Sequence, residues 1–274
     1  MADVSTGTGR AGTMADRLRG KVVIVTGAGQ GIGRATAKRL AEEGATVAIV
    51  DANEAGAHRT RDDLSGTDAD VFVGDLREYA VAEELVRWAH GRWGRIDVLI
   101  NNVGGATQFK PFHEWAPQEM LAEVHLSLLP TLWCCRAVLP LMIERGRGRI
   151  VNVGAESVRN GLWDRAPYSA GKGGVHALTT SLALETAGLG ITCNTVAPAA
   201  TNSQRDRLVQ RGGRTLSPEE QAHFDRLGER TLSTIPLGRY SEVEEQAAAI
   251  AFFASDDSSF ITGQCLFVNG GSSN

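Results

Sequence analysis

The run Val22-Val23-Ile24-Val25, followed at once by Thr26-Gly27-Ala28-Gly29-Gln30-Gly31-Ile32-Gly33, restricts the fold more than any other part of this chain. Four consecutive β-branched residues without polar alternation predict a strand buried on both faces, as in a parallel sheet covered by helices on each side. The glycines permit a tight turn and a close approach of the backbone. The helix that follows offers unpaired N–H groups and a positive dipole end to an anion. The spacing is not Gly-x-Gly-x-x-Gly, because Ile32 and Arg34 stand where that pattern differs. The same physics nonetheless suits the pyrophosphate of a dinucleotide.

Further short apolar runs follow at Thr46–Val50, Val71–Val73, Ile96–Ile100, Arg149–Val153, Ile191–Val196 and Cys265–Val268. Between them lie helical patterns such as Gly33–Glu43, Ala80–Trp93, Tyr168–Ala187 and Glu242–Ala254. Seven strands alternating with helices predict an α/β, doubly wound parallel sheet of the Rossmann type. No repeat, linker or change of composition divides the 274 residues, so residues 17–274 read as one domain. Residues 1–16 are rich in Gly, Thr, Ala and Ser, lack an apolar core, and read as a disordered extension rather than a signal peptide. Residues 201–237, with Arg205, Arg207, Arg211 and Arg214 and the breakers Gly212-Gly213 and Ser217-Pro218, depart from the rhythm and read as a lid over a ligand or a solvated excursion.

With 28 basic and 32 acidic residues the net charge is −4, which gives no basic face for nucleic acid. The four cysteines, Cys134, Cys135, Cys193 and Cys265, lie in apolar stretches without metal-ligand spacing and read as buried thiols of a cytoplasmic protein. The apolar stretch Leu128–Ile143 contains Pro130, Arg136 and Pro140 and reads as too short and broken to cross a membrane.

Chemistry is concentrated in Tyr168-Ser169-Ala170-Gly171-Lys172. Four residues is just over one helical turn, so the phenol and the ammonium share a face. A fixed cation beside a phenol favours the phenolate and lets it exchange a proton near neutral pH. Asp51, closing the second strand, suits the ribose hydroxyls and repels a 2′-phosphate, and Gln30 leaves the glycine turn without a basic residue, so the cofactor is expected to be NAD. Asp75-Leu76, Asn101-Asn102-Val103-Gly104, Pro198 and Thr201 all follow strands, at the carboxyl edge where open α/β sheets bind ligands.

Together, Thr26-Gly27-x-x-x-Gly31-x-Gly33, Asp75, Asn101–Gly104, Tyr168-x-x-x-Lys172, Asn194 with Pro198, and Val268-Asn269-Gly270-Gly271 resemble the short-chain dehydrogenase/reductase family over residues 20 to 274. The resemblance implies a homotetramer, with Tyr168 as acid/base and Lys172 holding the nicotinamide ribose. It implies a cofactor site built from Gly27, Gln30, Gly31, Ile32, Asp51, Asp75, Leu76, Asn102, Gly104, Pro198 and Thr201 together with that pair. Asn101–Gly105 and Ser127–Pro140 resemble dehydrogenases of aromatic-carboxylate cis-dihydrodiols, of the benzoate or p-cumate type, and the stretch Ala155–Gly161 looks closer to the p-cumate branch.

Two positions depart from the family. Ala155 stands where a catalytic serine ends the fifth strand, and Ser157 replaces it if the loop bulges. His125 stands for the helical asparagine of the proton relay, as a relay or as a structural residue. Arg159, Arg165, Arg205 and Arg207 are candidates to grip a substrate carboxylate. The expected reaction is oxidation of a cis-dihydrodiol carboxylate to the catechol. The alternatives are a general short-chain alcohol or 3-oxoacyl reductase, and a dinucleotide-binding regulator without turnover.

Overall fold

The structure, a computed structural model, describes residues 16–203 and 217–272. Its strands are β1 (Val22–Thr26), β2 (Thr46–Asp51), β3 (Ala69–Val73), β4 (Val98–Asn101), β5 (Gly148–Val153), β6 (Ile191–Pro198), β7 (Thr201–Asn202), β8 (Ser241–Glu242) and β9 (Cys265–Val268). Seven of them form one parallel sheet in the order β3-β2-β1-β4-β5-β6-β9, and β7 pairs with β8 in a small separate ladder. The doubly wound sheet expected from the strand pattern is therefore present. Its order reverses between β1 and β4, and this opens a crevice beyond their carboxyl ends.

The side chains of β1 explain why the run carries no polar alternation. Val23 and Val25 enter one core with Leu40, Ile49, Ile250 and Phe253. Ile24 enters the opposite core with Leu85, Leu99, Val138 and Ile150. Successive residues of a strand face opposite sides, so a strand between two helical layers must be apolar at every position.

The helices are α1 (Gly31–Glu42), α2 (Glu54–Asp63), α3 (Tyr79–Trp93), α4 (Pro117–Glu144), α5 (Ser157–Asn160), α6 (Ala166–Thr186), α7 (Pro218–Leu232) and α8 (Val243–Ala254). The stretch expected to be broken at Pro130 and Pro140 lies inside the continuous 28-residue α4, which is long and apolar enough, by length and composition, to cross a membrane. In this fold it packs between α3 and α6, burying Ser127, Thr131, Cys134, Cys135, Val138 and Met142 on one stripe. A proline removes one intrahelical hydrogen bond and bends the helix, but tertiary packing on both sides holds it here.

Part of the 201–237 excursion is a regular helix. Ser217 accepts from the Glu220 N–H (3.2 Å), and Glu220 in turn accepts from the Ser217 N–H (2.8 Å), a capping box that starts α7. The rest of that expectation, with Arg205, Arg207, Arg211 and Arg214, lies outside the described residues, as does the N-terminal extension apart from Asp16, which accepts from Arg19 (3.0 Å). Cys134, Cys135 and Cys193 are buried thiols, and Cys265 is half-buried.

Gly33 is required by space rather than by backbone angle. A Cβ there would lie 2.1 Å from the Gly27 carbonyl oxygen and 2.5 Å from Asn102 Nδ2. Gly33→Ala is expected to lower stability by about 1–3 kcal/mol, the range for overpacking a filled site. Urea unfolding checks this; an unchanged midpoint would show that the turn has room to move.

Candidate active site

At the first crossover, Gly27 and Gly31 both adopt left-handed backbone (φ 62° and 54°), which only glycine enters without strain. The Ala28 N–H donates to the Val50 carbonyl (3.0 Å), folding the turn back on β2. Gln30 caps α1 with extended backbone and makes no side-chain cap hydrogen bond. The N–H groups of the first turn thus face outward, toward the crevice at the sheet edge, as an anion site requires.

Asp51 is locked below this turn. One carboxylate oxygen accepts the Gly29 N–H (2.8 Å) and the other accepts the Asn53 N–H (2.8 Å). A Cβ on Gly29 would come within 2.9 Å of that carboxylate, so glycine is needed there. Asn102 Nδ2 donates to the carbonyls of Thr26 (3.0 Å) and Gly27 (3.1 Å), tying the end of β4 to the turn. Asp75 is drawn to Arg77, whose side chain holds its carboxyl below the usual range, and Leu76 is buried beside it. An outward helix start, an acid fixed at the end of β2, and glycines where a Cβ would collide are what a nicotinamide dinucleotide needs, and these residues fit one.

At the other end of the crevice, Tyr168 and Lys172 occupy the first turns of α6. Lys172 is 97% buried, and its ammonium donates to the Val153 carbonyl at the end of β5 (2.7 Å). Gly104 (φ 143°) leaves the space that Lys172 fills: a Cβ there would lie 2.9 Å from Nζ. Tyr168, Lys172 and Ser157 line one cavity of about 630 Å³ together with Ile32, Asn102, Gly104, Pro198 and Thr201. Gly27, Gln30, Gly31, Asp51, Asp75 and Leu76 lie along the neighbouring sheet edge, outside that cavity wall. Phe109 and Phe224, edge to face at 5.4 Å, and Leu227 of α7 also line the cavity.

The loop after β5 carries both Ala155 and Ser157 along the cavity wall. Gly154 and Glu156 donate their N–H groups to the carbonyls of Val196 (2.8 Å) and Pro198 (3.0 Å). Ala155 presents only a methyl to the cavity, whereas Ser157 Oγ is buried on the cavity wall without a hydrogen-bond partner among the described residues. His125, read from the sequence as a relay or as a structural residue, is exposed on α4 and does not line the cavity. It stands two residues from both Glu123 and Ser127, which are buried, and two residues along a helix is the opposite face. Of the candidate arginines, Arg165 lines the cavity, Arg159 lies over the Phe267 ring instead (5.5 Å), and Arg205 and Arg207 are outside the described residues.

Sequence reasoning overlooked His176. Its Nε2 accepts the Ala155 N–H (3.2 Å), and a Cβ on Gly154 would lie 2.1 Å from the same atom. The spacing of four from Lys172 and eight from Tyr168 was the available signal, since all three then share one helix face. Burial, and then the Lys172 charge, push the imidazole down to about 4, so it is neutral and props the loop that carries Ser157.

A family model described as short chain dehydrogenase matches residues 21–212. The chain is 48% identical over 256 residues to the 1,6-dihydroxycyclohexa-2,4-diene-1-carboxylate dehydrogenase of Acinetobacter baylyi, covering 93% of this chain and 97% of that protein. It is 42% identical over 258 residues to the 2,3-dihydroxy-2,3-dihydro-p-cumate dehydrogenase of Pseudomonas putida, covering 93% and 95%. Whole-chain identity is thus higher to the first, whereas the sequence of residues 155–161 had suggested the p-cumate branch. The solved structure of a 3-ketoacyl-(acyl-carrier-protein) reductase from Brucella melitensis complexed with NADH superposes with a TM-score of 0.83 at 30% identity, covering 93% and 99%.

His176 makes the fold acid-sensitive. The unfolded chain takes up this proton below pH about 6.5, and the native state only below about 4. Stability contributed above pH about 6.5 is therefore lost as pH falls toward about 4, by up to about 3 kcal/mol. His176→Gln keeps an acceptor for the Ala155 N–H and is expected to flatten that part of the curve in urea unfolding at pH values across the window. An unchanged slope would mean that His176 is not the group responsible.

Proposed function

The chain belongs to the short-chain dehydrogenase family, and on that premise we propose that it oxidises a cis-dihydrodiol carboxylate of the benzoate type with NAD. Membership makes it an oxidoreductase that uses a nicotinamide dinucleotide on a small molecule. The observation that carries the finer reading is the cavity in which Tyr168, Lys172 and the unpartnered Ser157 hydroxyl meet, in a chain 48% identical to a diol-carboxylate dehydrogenase. The Asp51 carboxylate, fixed where a 2′-phosphate would have to lie, supports NAD over NADP.

Tyr168, as phenolate, accepts the proton of the reacting hydroxyl. The Lys172 ammonium, held by the Val153 carbonyl, stabilises that phenolate and holds the cofactor ribose. Ser157 Oγ donates to the substrate oxygen as it becomes a carbonyl, and this satisfies a hydroxyl without a partner among the described residues. When bound, the oxidised nicotinamide supplies the hydride acceptor. With the carboxylate on the neighbouring carbinol carbon the product is a β-keto acid, which loses carbon dioxide and becomes aromatic as a catechol. In the p-cumate arrangement the carboxylate would be retained.

The reading carries a cytoplasmic location, supported by four cysteines that remain thiols. It also carries a homotetramer, supported by the apolar side chains of Leu184, Phe260 and Leu266 exposed on and around the edge strand β9. Light scattering should give the mass of four chains; a monomer would remove that part of the proposal. The reading also makes α7 a cover of the substrate end, supported by Phe224 and Leu227, which line the cavity.

The decisive assay follows NADH and carbon dioxide with the 1,6-diol carboxylate as substrate, with NADP substituted in a parallel run. Tyr168→Phe is expected to lower kcat by about 10²–10⁴-fold, and Ser157→Ala by about 10²–10³-fold, with NADH binding retained in both. Turnover of a 3-oxoacyl thioester but not of the diol would assign the chain to the general reductases. Binding of NADH without turnover of either substrate would make it a regulator.

A further inference from the structure

Arg165 is left unused by the mechanism above, yet it is the arginine on the cavity wall among the described residues. It stands at the cap position before α6, three residues ahead of Tyr168. Its guanidinium lies over the Phe109 ring, 4.7 Å from the centroid, which fixes the plane of the fork. Its Nε is buried with no hydrogen-bond partner, and no carboxylate pairs with it among the described residues. Elsewhere in the molecule arginines that are partly buried are matched: Arg145 to Asp97 (3.0 Å) and Arg149 to Asp256 (2.9 Å). The adjacent Asp164 is turned to His223 instead (2.9 Å). Burial lowers the Arg165 pKa, with Asp164, Tyr168 and Tyr240 acting in the opposite sense. A guanidinium stays charged even so, and a buried charge without a counter-ion is costly unless a ligand supplies one.

We propose that Arg165 is the carboxylate receptor of this site, gripping the carboxylate of the diol and thereby selecting which hydroxyl meets Tyr168. The inference rests on the substrate class proposed above and adds the residue that recognises it. Its chemical logic lies in the substrate. The carbon bearing both hydroxyl and carboxylate has no hydrogen to give as hydride, so only the neighbouring carbinol can be oxidised. A diol bound the other way round is unproductive. A planar fork that takes both carboxylate oxygens fixes the productive orientation, whereas a point charge would allow rotation.

The test compares kcat/KM for the 1,6-diol carboxylate and for the corresponding cis-cyclohexadienediol without the carboxylate. In the wild type the ratio favours the carboxylate. In Arg165→Met that ratio is expected to fall about 100-fold, as for loss of a charged, two-pronged hydrogen bond. Arg165→Lys keeps the charge but not the fork and should fall between them, and it serves as the variant of record if the methionine form does not fold. Benzoate, titrated against the NADH-bound protein, should bind correspondingly more weakly to both variants. An unchanged ratio overturns the proposal, whether activity on both diols is retained or falls equally; the equal fall would make Arg165 a positioning residue for Tyr168. If the wild type turns over neither diol, the substrate reading fails separately, and the benzoate titration alone decides the receptor: weaker binding in the variants supports it, and equal binding overturns it.

Discussion

The Lys172 ammonium, almost fully buried and donating to the Val153 carbonyl at 2.7 Å, joins the helix that carries the chemistry to the strand that ends beneath it. A buried cation needs fixed acceptors, and the last carbonyl of a parallel strand is one that regular pairing has left available. Everything at the substrate end is placed relative to this contact. Gly104 must lack a side chain to make room for it, and Tyr168, one turn earlier, is brought to the same cavity. The same charge helps to keep His176 neutral.

Behind it runs a chain of buried polar contacts that ties four elements together. Asn101 donates to Asn152 Oδ1 (2.9 Å), Asn152 to Thr179 Oγ1 (2.8 Å), and Thr195 to the same oxygen (2.8 Å). β4, β5 and β6 are thus tied to the middle of α6 by directional bonds, where the cores above and below supply only non-directional packing. Buried networks of this kind rigidify a site when their members are paired. Among the described residues the Ser157 hydroxyl and Arg165 Nε lack a hydrogen-bond partner, as do a few other buried atoms such as Asn101 Oδ1 and Gln246 Oε1, but Ser157 and Arg165 are residues of the cavity wall.

Much of this was legible in the sequence. Unalternated β-branched runs can lie only between two helical layers, so the parallel sheet was readable strand by strand. The Tyr168–Lys172 pair depends on a spacing of four within one helix, and such local periodicity survives without tertiary information. α2 was not read because it is polar over most of its length, and α7 was missed because Ser217-Pro218, read as breakers, are its N-cap and first residue. α4 was misjudged because its two prolines look like breaks to local propensity, and only packing between α3 and α6 overrides them.

Sequence alone therefore determined the layered α/β architecture, the glycine turn with its acid at Asp51, and the shared helix face of Tyr168 and Lys172, all set by contacts within one element or across one turn. Tertiary structure alone decided that the Ser157 hydroxyl reaches the cavity wall, that His125 faces away while His176 props the loop, and that Arg165 lines the cavity while Arg159 does not. Those choices depend on where a loop runs after its strand ends. That course is set by carbonyls and side chains far away in the chain, such as Val196, Pro198 and Phe109, which no local pattern records.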